Sequence, residues 1–510
     1  MRSERSACER ARGWHTPCQW QGVHSRTLVA IVSIGVVAGG CGSAPVGPSP
    51  NAIAQENARP GDASWNVPKT MWAPQHQLAL WASPYEAHSG DTVQIHVHAT
   101  NGPVALTVYR LGWYGGIGGR LLLSQANVAA GPQAPCSAPF PGPVTCAWTV
   151  TTRFPIGSDW VGGLYLIQAI DATGKSGFYP FVLSDTRSAA FTAIFPVFTW
   201  QAYNMYGASS LYTPQPGTTN TLGHFVSFER PYSKAGGGGE VLDDFESLDL
   251  RIVRFLERSG YDVDYATDLD LTGVRGPAPH PAHGLIFVAH DEYWTWNEFD
   301  TVTALRDHHT HLAFLSANSA YWNIRLSADA SMITCYKLTP DPAAPTPEET
   351  TTNFRRPPLN RPENQLSGIM YNHHLSADTP IQPIVARDTI GGPNATAFDS
   401  AAGIAAGDTI PNELAIEGDE IVNNGLTPSN LQVLFSSPAL PASSDVGEPE
   451  PPSHAPFRYY TTFFIAPSGA GVFAGGNVEF ARGLDTFRDQ PAQPKIEALV
   501  TAVLNWMLTH

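Results

Sequence analysis

Polar and aromatic side chains lie within or shortly after four apolar runs in the C-terminal half of the chain. The runs are Phe191–Phe198, Val263–Thr267, Leu285–Ala289 and His311–Ser316. The side chains there that could carry chemistry are Tyr203, Tyr265, His290, Glu292, Tyr293 and Asn318. If the runs are parallel strands, their carboxyl ends meet at one edge of a sheet, where open α/β folds bind their ligands. The sequence therefore predicts a site of phenols, a carboxylate, an imidazole and an amide at that edge.

The segment Ser316–Ala320 occupies the strand-to-helix position at which several α/β enzymes place a nucleophile. Its central residue is Asn318, whose amide is not a nucleophile. Ser316 and Ser319 lie beside it, but no persuasive Ser–His–Asp order is visible along the chain. The sequence therefore disfavours covalent catalysis.

Metal binding is the second chemistry that these residue types allow. His290 and Glu292 have the His-x-Glu spacing of a facial triad, which needs one further His. The residues available for that position are His308, His309, His311, His373 and His374. Tyrosines are alternative ligands, but a phenol with a pKa near 10 ionises at neutral pH only beside a strong positive charge, such as a trivalent cation. A third interpretation is that the tyrosines are packed aromatics whose hydroxyls bond backbone groups.

Alternating strands predict a β-sandwich at residues 65–187. Val93–His98 and Val104–Arg110 alternate with the period of two that a half-buried strand requires. Leu164–Ile170 and Tyr179–Leu183 flank a turn and predict a hairpin. Since no helical stretch intervenes, we expect an all-β, immunoglobulin-like sandwich.

Residues 188–510 alternate apolar strands with amphipathic helices. A helix is predicted at 240–259, and the capping-box pattern Thr295–Glu298 opens another. From Ile496 to Met507 the apolar residues follow helical spacing, and a late strand is predicted at Gly471–Gly476. This alternation predicts an α/β domain with a mostly parallel sheet, which would position the strand-end residues.

The N-terminus has the features of an export signal. Arginines precede the uncharged run Leu28–Gly39, which is too short to span a bilayer but suits a signal-peptide core. Small residues then precede Cys41, as in a bacterial lipoprotein cleavage box. The sequence therefore predicts a lipoprotein-type signal peptide at 1–40, a membrane lipid anchor at Cys41, a flexible tether at 41–64 and a location in the bacterial cell envelope. A plain secretory signal is the alternative.

Composition narrows the function classes. The chain has 510 residues, with 29 Lys and Arg against 45 Asp and Glu, and a net charge of −16. This balance argues against nucleic acid as a partner, because phosphate binding needs a basic patch. Cys136 and Cys146 bracket a Pro-rich loop and are expected to form a disulfide outside the cytosol, whereas Cys335 is expected to be a buried, inert thiol. The sequence leaves open whether the chain forms a homo-oligomer.

Six ordered motifs between about residue 75 and the C-terminus resemble the large (beta) subunit of bacterial N,N-dimethylformamidase. The motifs are Tyr109–Arg120, Thr199–Asn204, Ser227–Tyr232, Gly260–Tyr265, His290–Trp294 and Ala317–Trp322. The resemblance implies a β-sandwich followed by a domain similar to class I glutamine amidotransferases, without their nucleophilic Cys.

The resemblance also implies a mononuclear iron, expected as Fe³⁺, held by two tyrosinates and one glutamate. Tyr293 matches one tyrosine and Glu363 matches the glutamate. For the second tyrosine, Tyr265 fits the order best and Tyr203 is the reserve. Arg361 stands where the family pattern has a His.

The chemistry implied is hydrolysis of a small amide. Iron would act as a Lewis acid on the amide carbonyl and lower the pKa of a bound water. His290 or Glu479 would shuttle a proton to the leaving amine, and Asn318 would donate to the developing oxyanion. The alternative is a non-catalytic envelope protein that uses the same scaffold to bind a carbohydrate or a peptide.

Overall fold

The computed structural model describes ten stretches of the chain. They are residues 51–138, 142–185, 187–213, 222–233, 248–375, 384–386, 391–411, 417–440, 457–486 and 491–510. All belong to one compact unit, Pro50–His510. The predicted signal peptide and Cys41 lie outside the described residues, and the division at 187/188 stays a prediction.

Strands dominate the described residues. They are β1 Leu78–Ser83, β2 Glu86–His88, β3 Thr92–Ala99, β4 Val104–Leu111, β5 Gly119–Val128, β6 Thr152–Pro155, β7 Gly163–Ile170, β8 Ser176–Ser184, β9 Phe191–Phe195, β10 Phe225–Ser227, β11 Val263–Thr267, β12 Gly284–Phe287, β13 Tyr293–Thr295, β14 His311–Phe314, β15 Trp322–Leu326, β16 Met332–Thr334, β17 Met370–His374, β18 Ile384–Ala386, β19 Thr409–Ile410, β20 Glu417–Glu420, β21 Gln432–Ser436, β22 Tyr460–Ile465 and β23 Gly471–Ala474. The α-helices are Ala52–Asn57, Val197–Tyr203, Leu250–Arg258, Asp268–Leu271, Trp296–Asp307, Asn364–Ser367, Pro393–Ala401 and Pro494–Met507.

Two sheets form the N-terminal part of the fold. One has the order β1-β3-β6 and the other the order β2-β8-β7-β4-β5. They approach closely at Gly177, where an added Cβ would lie 3.1 Å from the side chains of Leu78 and Leu80. The four strands that period-two alternation predicts in this part of the chain are all present. The two sheets thus share an apolar interior, as alternating strands require.

Part of the predicted tether is instead ordered. The helix Ala52–Asn57 is capped by Asn51, whose side chain accepts from the Ala54 N–H at 2.6 Å. Ile53 and Glu56 are buried, and Glu56 pairs with Arg120 at 2.6 Å. Residues 51–64 of the predicted tether are therefore ordered by contacts, such as this buried ion pair, that composition does not reveal.

A nine-stranded sheet forms the C-terminal part, in the order β11-β9-β12-β14-β23-β22-β21-β18-β19. The first five strands are parallel to one another, and the remaining pairs are antiparallel. The sheet is therefore mixed rather than mostly parallel. Its parallel half contains the strands that the apolar runs predict.

Local signals fix the ends of several elements. The first run is shorter than predicted, because Pro196 follows β9 and a helix begins at Val197. The helix Trp296–Asp307 begins with the predicted capping box of Thr295 and Glu298. The predicted disulfide joins Cys136 and Cys146.

A buried ion pair connects β4 with the helix Leu250–Arg258. Arg110 Nη2 lies 2.6 Å from Glu257 Oε1, and both side chains are fully buried. Tyr265 also donates to Glu257 Oε1, at 2.9 Å. Among the residues that the structure describes, no helix has the length and apolar character needed to cross a membrane.

Candidate functional site

Turns after adjacent parallel strands assemble the site. Tyr203 ends the short helix that follows β9, His290 and Glu292 follow β12, and Asn318 follows β14. Because β9, β12 and β14 are neighbours and parallel, these turns lie at one edge of the sheet. Ala289 and Asn318 both have a φ of 52°. This conformation is common for Asn and costs about 1–2 kcal/mol for Ala, so the turn before His290 is held by its surroundings.

Two phenols bond directly to one carboxylate in a unit that we call the phenol cluster, Tyr203, Tyr212, Tyr293 and Glu292. Tyr203 Oη donates to Glu292 Oε2 at 2.8 Å. Tyr212 Oη lies 2.7 and 2.8 Å from the two oxygens of Glu292. The Tyr293 ring stands edge-on to the other two rings, at 6.4 and 6.3 Å between centroids. Since Glu292 is only 3% exposed, phenol hydroxyls solvate its charge in place of bulk water.

The Tyr293 hydroxyl, unlike those of Tyr203 and Tyr212, does not bond to Glu292. It is buried and has no hydrogen-bond partner of normal geometry among the described residues. Burial, followed by the charge of Glu292, raises the pKa of Tyr293 well above its ordinary value. The Lys337 ammonium lies 3.3 Å from the centroid of the Tyr212 ring. A buried polar atom without a partner marks a position that a ligand or an ion can complete.

His290, Asn318 and Glu417 form a second group beside the phenol cluster. His290 Nε2 lies 3.3 Å from Glu417 Oε2 and 3.8 Å from Glu292 Oε2. Asn318 Nδ2 donates to Glu417 Oε2 at 3.1 Å and lies 3.4 Å from His290 Nε2. An imidazole between two carboxylates is well placed to hold and pass a proton. The structure therefore brings the predicted pair His290 and Asn318 together.

Glu363 lies on the far side of this second group. The Asn318 N–H donates to Asp419 at 2.9 Å, and the neighbouring charge of Glu363 contributes, after burial, to raising the pKa of Asp419 to about 7. Glu363 is ion-paired with Arg355. Arg361, which replaces the expected His, stacks on Phe299 at 4.0 Å and so packs against the helix Trp296–Asp307.

Tyr265 does not join the phenol cluster. It lies inside β11, the edge strand of the sheet, and its hydroxyl donates to Glu257. The charges that act on Tyr265 are those of Glu257, Arg110 and Arg187, whereas Glu292 and Tyr212 act on Tyr293. Within the described residues the two tyrosines share no bonding partner. The structure therefore does not bring Tyr265 together with Tyr293, whereas the ring of Tyr203, the reserve, lies beside that of Tyr293.

Glu479 has a local partner. It is ion-paired with Arg482, three residues further along the chain. Burial raises its pKa, and the charge of Arg482 opposes that shift. No contact to His290 or Asn318 is found for it among the described residues, so the structure does not support Glu479 as the proton carrier.

The phenol cluster fits a hard cation better than the predicted ligand set does. It offers phenol and carboxylate oxygens around a hydroxyl without a partner, and a trivalent cation would favour their ionised forms. Of the predicted ligands only Tyr293 belongs to it, together with the reserve Tyr203. Tyr265 and one oxygen of Glu363 are bound to other side chains, and the second oxygen of Glu363 is buried without a hydrogen bond of normal geometry among the described residues.

The described residues provide no further His for a facial triad with His290 and Glu292. His309 and His311 lie at the amino end of β14, opposite the site edge. His373 is ion-paired with Glu420. His374 approaches the site only at Glu417, 3.8 Å away. Among the described histidines none joins His290 and Glu292 in a facial arrangement.

Sequence reasoning missed Tyr212, Lys337, Glu417 and Asp419. Tyr212 and Lys337 lie in segments without periodicity, and no strand end points to them. Glu417 and Asp419 alternate on β20, in the acidic run Glu417–Glu420. That run was a usable signal, because carboxylates are rare inside strands and need a reason to be there.

Comparison with known proteins gives a family match that covers the whole site. No curated protein matches the chain. A family described as N,N-dimethylformamidase beta subunit-like, C-terminal, matches residues 105–494. This stretch covers most of the chain and includes every residue of the phenol cluster and of the His290 group. The chain therefore belongs to the N,N-dimethylformamidase beta subunit-like family.

Proposed function

We propose that this protein hydrolyses the C–N bond of a small amide at the edge formed by the phenol cluster and the His290 group. The observation that carries the proposal is the position of His290, 3.3 Å from Glu417 and 3.4 Å from Asn318, directly beside Glu292. Membership of a family named for an amide hydrolase supports the reaction class. The identity of the amide is open.

Each group has a role that follows from its chemistry. Hydrolysis adds a water oxygen to the carbonyl carbon, breaks the C–N bond and transfers one proton from the water to the leaving amine. His290, held between Glu417 and Glu292, takes this proton and delivers it to the amine nitrogen. Asn318 directs its second amide hydrogen to the carbonyl oxygen, which becomes negative as the water adds.

A small cavity beside His290 suits the water. It measures about 30 Å³, and its lining includes Thr199, Tyr203, Ala289 and His290. A space of roughly 10–15 Å³ already admits one water molecule. A water there would lie next to the imidazole that accepts its proton.

Iron is proposed as the metal of this site, held by the phenol cluster through Tyr293 and Tyr203 with Glu292. When bound, it would polarise the amide carbonyl and lower the pKa of the water. The buried hydroxyl of Tyr293, which makes no hydrogen bond of normal geometry among the described residues, supports this assignment.

The first test is iron content and a visible spectrum of the purified chain from Gly42 to His510. About one iron per chain, with a tyrosinate charge-transfer band, is the expected result. The Tyr293→Phe variant should lose both. Tyr265→Phe is the matched control, a phenol removed outside the cluster, and should keep both.

Amine release from N,N-dimethylformamide and small acetamides is measured on the same preparations. Colourless, iron-free protein after reconstitution, with no amine released, would contradict the proposal. It would favour the non-catalytic binding protein on the same scaffold. Iron loading that survives Tyr293→Phe would overturn the ligand assignment alone.

Two further features belong to the same proposal. The N-terminal sheets are assigned to an immunoglobulin-like sandwich, and residues 188–510 to a glutamine-amidotransferase-like domain. The chain is proposed to be a lipoprotein of the bacterial cell envelope, anchored at Cys41. The mixed α/β architecture and the sequence of the N-terminus support these assignments.

A further inference from the structure

A group of three carboxylates lies next to the phenol cluster in the sequence but has its own environment. Asp268 follows β11, Asp291 follows β12, and Glu298 lies in the first turn of the helix Trp296–Asp307. All three side chains are fully buried. One oxygen from each lies within 4.8 Å of one oxygen from each of the others. We call this group the carboxylate triad.

Backbone N–H groups donate to one oxygen of Asp268 and to one oxygen of Glu298 in the carboxylate triad. The Phe198 N–H donates to Asp268 Oδ2 at 2.8 Å. The Thr295 N–H donates to Glu298 Oε2 at 3.2 Å. The remaining oxygen of each, and both oxygens of Asp291, are buried without a hydrogen bond of normal geometry among the described residues, and the Trp294 indole lies near Asp291. Four oxygens are therefore oriented and unsatisfied in one small volume.

The described residues supply no positive charge to the carboxylate triad, since none of its members forms an ion pair with Lys, Arg or His there. The fold does compensate a comparable group elsewhere. In Glu86, His88 and Asp270, the His88 Nε2 lies 3.1 Å from Asp270, and Arg275 lies 3.3 Å from Glu86. Burying carboxylates without a counter-charge costs several kcal/mol each. Of these two groups, only the carboxylate triad has no cationic side chain beside it among the described residues.

We propose that Asp268, Asp291 and Glu298 bind a calcium ion at a structural site separate from the phenol cluster. Oxygen-only ligands select a hard cation, and oxygens that all lie within 4.8 Å of one another can reach one ion through Ca–O bonds of about 2.4 Å. Magnesium fits less well, because it keeps several of its waters and this group is fully buried. The four oxygens that accept no backbone hydrogen bond supply most of the lower coordination number of calcium, about six.

The bound ion would fix the position of the turn that carries His290 and Glu292. Asp291 lies between His290 and Glu292 in the chain, and the strained backbone of Ala289 precedes them. Calcium bound to Asp291 would tie this turn to the end of β11 and to the helix that follows β13. The orientation of His290 and Glu292 would then depend on an ion that touches neither of them.

The first measurement is calcium content. Protein is produced and purified with calcium present throughout, because a buried site must fill as the chain folds. We expect about one calcium per chain in the wild type and less than a tenth of that in Glu298→Gln. Glutamine keeps the capping oxygen for Thr295, so this variant should still fold. Glu292→Gln, which neutralises the carboxylate adjacent to Asp291 in the chain, is the matched control and should keep its calcium.

Terbium luminescence identifies the site independently. Trp294 is fully buried, and its indole lies close enough to act on the pKa of Asp291. After refolding with Tb³⁺ in place of calcium, excitation of Trp294 should give sensitised emission that calcium abolishes. The emission should persist in Glu292→Gln and should fall at least tenfold in Glu298→Gln and in Trp294→Phe.

Thermal unfolding is the measurement that can contradict the calcium proposal. Refolding with a calcium chelator should lower the Tm of the wild type by several degrees and leave Asp291→Asn unaffected. The proposal is overturned if the wild type contains no calcium and shows no sensitised emission. It is also overturned if Asp291→Asn is more stable than the wild type with calcium present, because the triad would then be held by protons. None of these readouts depends on iron or on amide turnover.

Discussion

Glu292 organises the site at the scale of single residues. It accepts hydrogen bonds from Tyr203 and Tyr212, and its second oxygen also faces His290. Burial of the hydroxyls, followed by the charge of Glu292, raises the pKa of Tyr203 and Tyr293 well above the ordinary value. In the apoprotein these phenols are therefore neutral donors. Only a cation placed among them would turn them into anionic ligands.

Replacement of the proton carrier should reduce turnover rather than folding. We expect His290→Gln to lower kcat for amide hydrolysis by about 10²–10⁴-fold, because a positioned acid–base group contributes that much. Iron content should stay at the wild-type level. The control is His373→Gln, which alters a His paired with Glu420 and should change kcat less than threefold. Equal losses in both variants would point to a general disturbance of β17 and β20.

The buried pair of Arg110 and Glu257 should be costly to break. Arg110→Met leaves the Glu257 carboxylate buried with its charge uncompensated, and we expect a loss of about 3–5 kcal/mol in the free energy of unfolding. The Arg110→Met/Glu257→Gln double variant should recover part of this loss. Denaturant unfolding measures both, and a double variant that is no more stable than the single one would refute the charge explanation.

His88 should make stability depend on alkaline pH. Hydrogen bonds to Asp270 and Glu86 raise its pKa from 6.5 to about 10, and Arg275 is the other charged group that faces this cluster. Because the folded pKa is the higher one, the stabilisation is complete below pH 6.5 and is lost as the pH rises through about 10. Tm measured from pH 6.5 to 10 should therefore fall more steeply for the wild type than for His88→Gln. Parallel curves would exclude His88 as the source.

At the scale of elements, the apolar runs and caps of the parallel half were predictable. Continuous apolar residues mark strands buried on both faces, and β11 and the capping box of Thr295 and Glu298 have the predicted positions. The antiparallel strands β18, β19, β21 and β22 were not predicted. Neither was β20 in its separate sheet, because its charged residues lack the period of a half-buried strand. Family order suggested Tyr265 as a ligand, but a residue in the middle of a strand packs against the helix beside it rather than at the strand end.

The disulfide of the loop between β5 and β6 should stabilise the N-terminal sheets. Cys136 and Cys146 are 10 residues apart, and closing a loop of this size is worth about 2–3 kcal/mol in the chain-entropy account. The Cys136→Ala/Cys146→Ala variant should therefore have a lower Tm than the wild type. A reductant should lower the Tm of the wild type by the same amount and leave the Tm of the variant unchanged. Buried Cys335, whose thiol pKa burial raises to about 12, should not react in either protein. A reductant effect in the double variant would argue against the loop as the cause.

At the scale of the whole molecule, the proposed anchor at Cys41 would attach a chain of acidic composition, with 29 Lys and Arg against 45 Asp and Glu, to a membrane. Cys41→Ser should move the protein from the membrane fraction to the soluble fraction and abolish incorporation of labelled lipid. The catalytic constants measured in detergent should not change, since the site is built from residues after Tyr203. A membrane-bound Cys41→Ser protein would instead favour retention by another segment.

The place of β23 in the large sheet has a consequence for biosynthesis. This strand, Gly471–Ala474, separates the parallel half from the antiparallel half, although it follows all the other strands in the chain. While the ribosome has not yet made it, β14 and β22 both present open edges, and open edges invite pairing with other chains. The two halves of the sheet therefore stay exposed to such pairing until β23 is in place. Pairing of Gly471–Ala474 with β14 and β22 is the step that joins them.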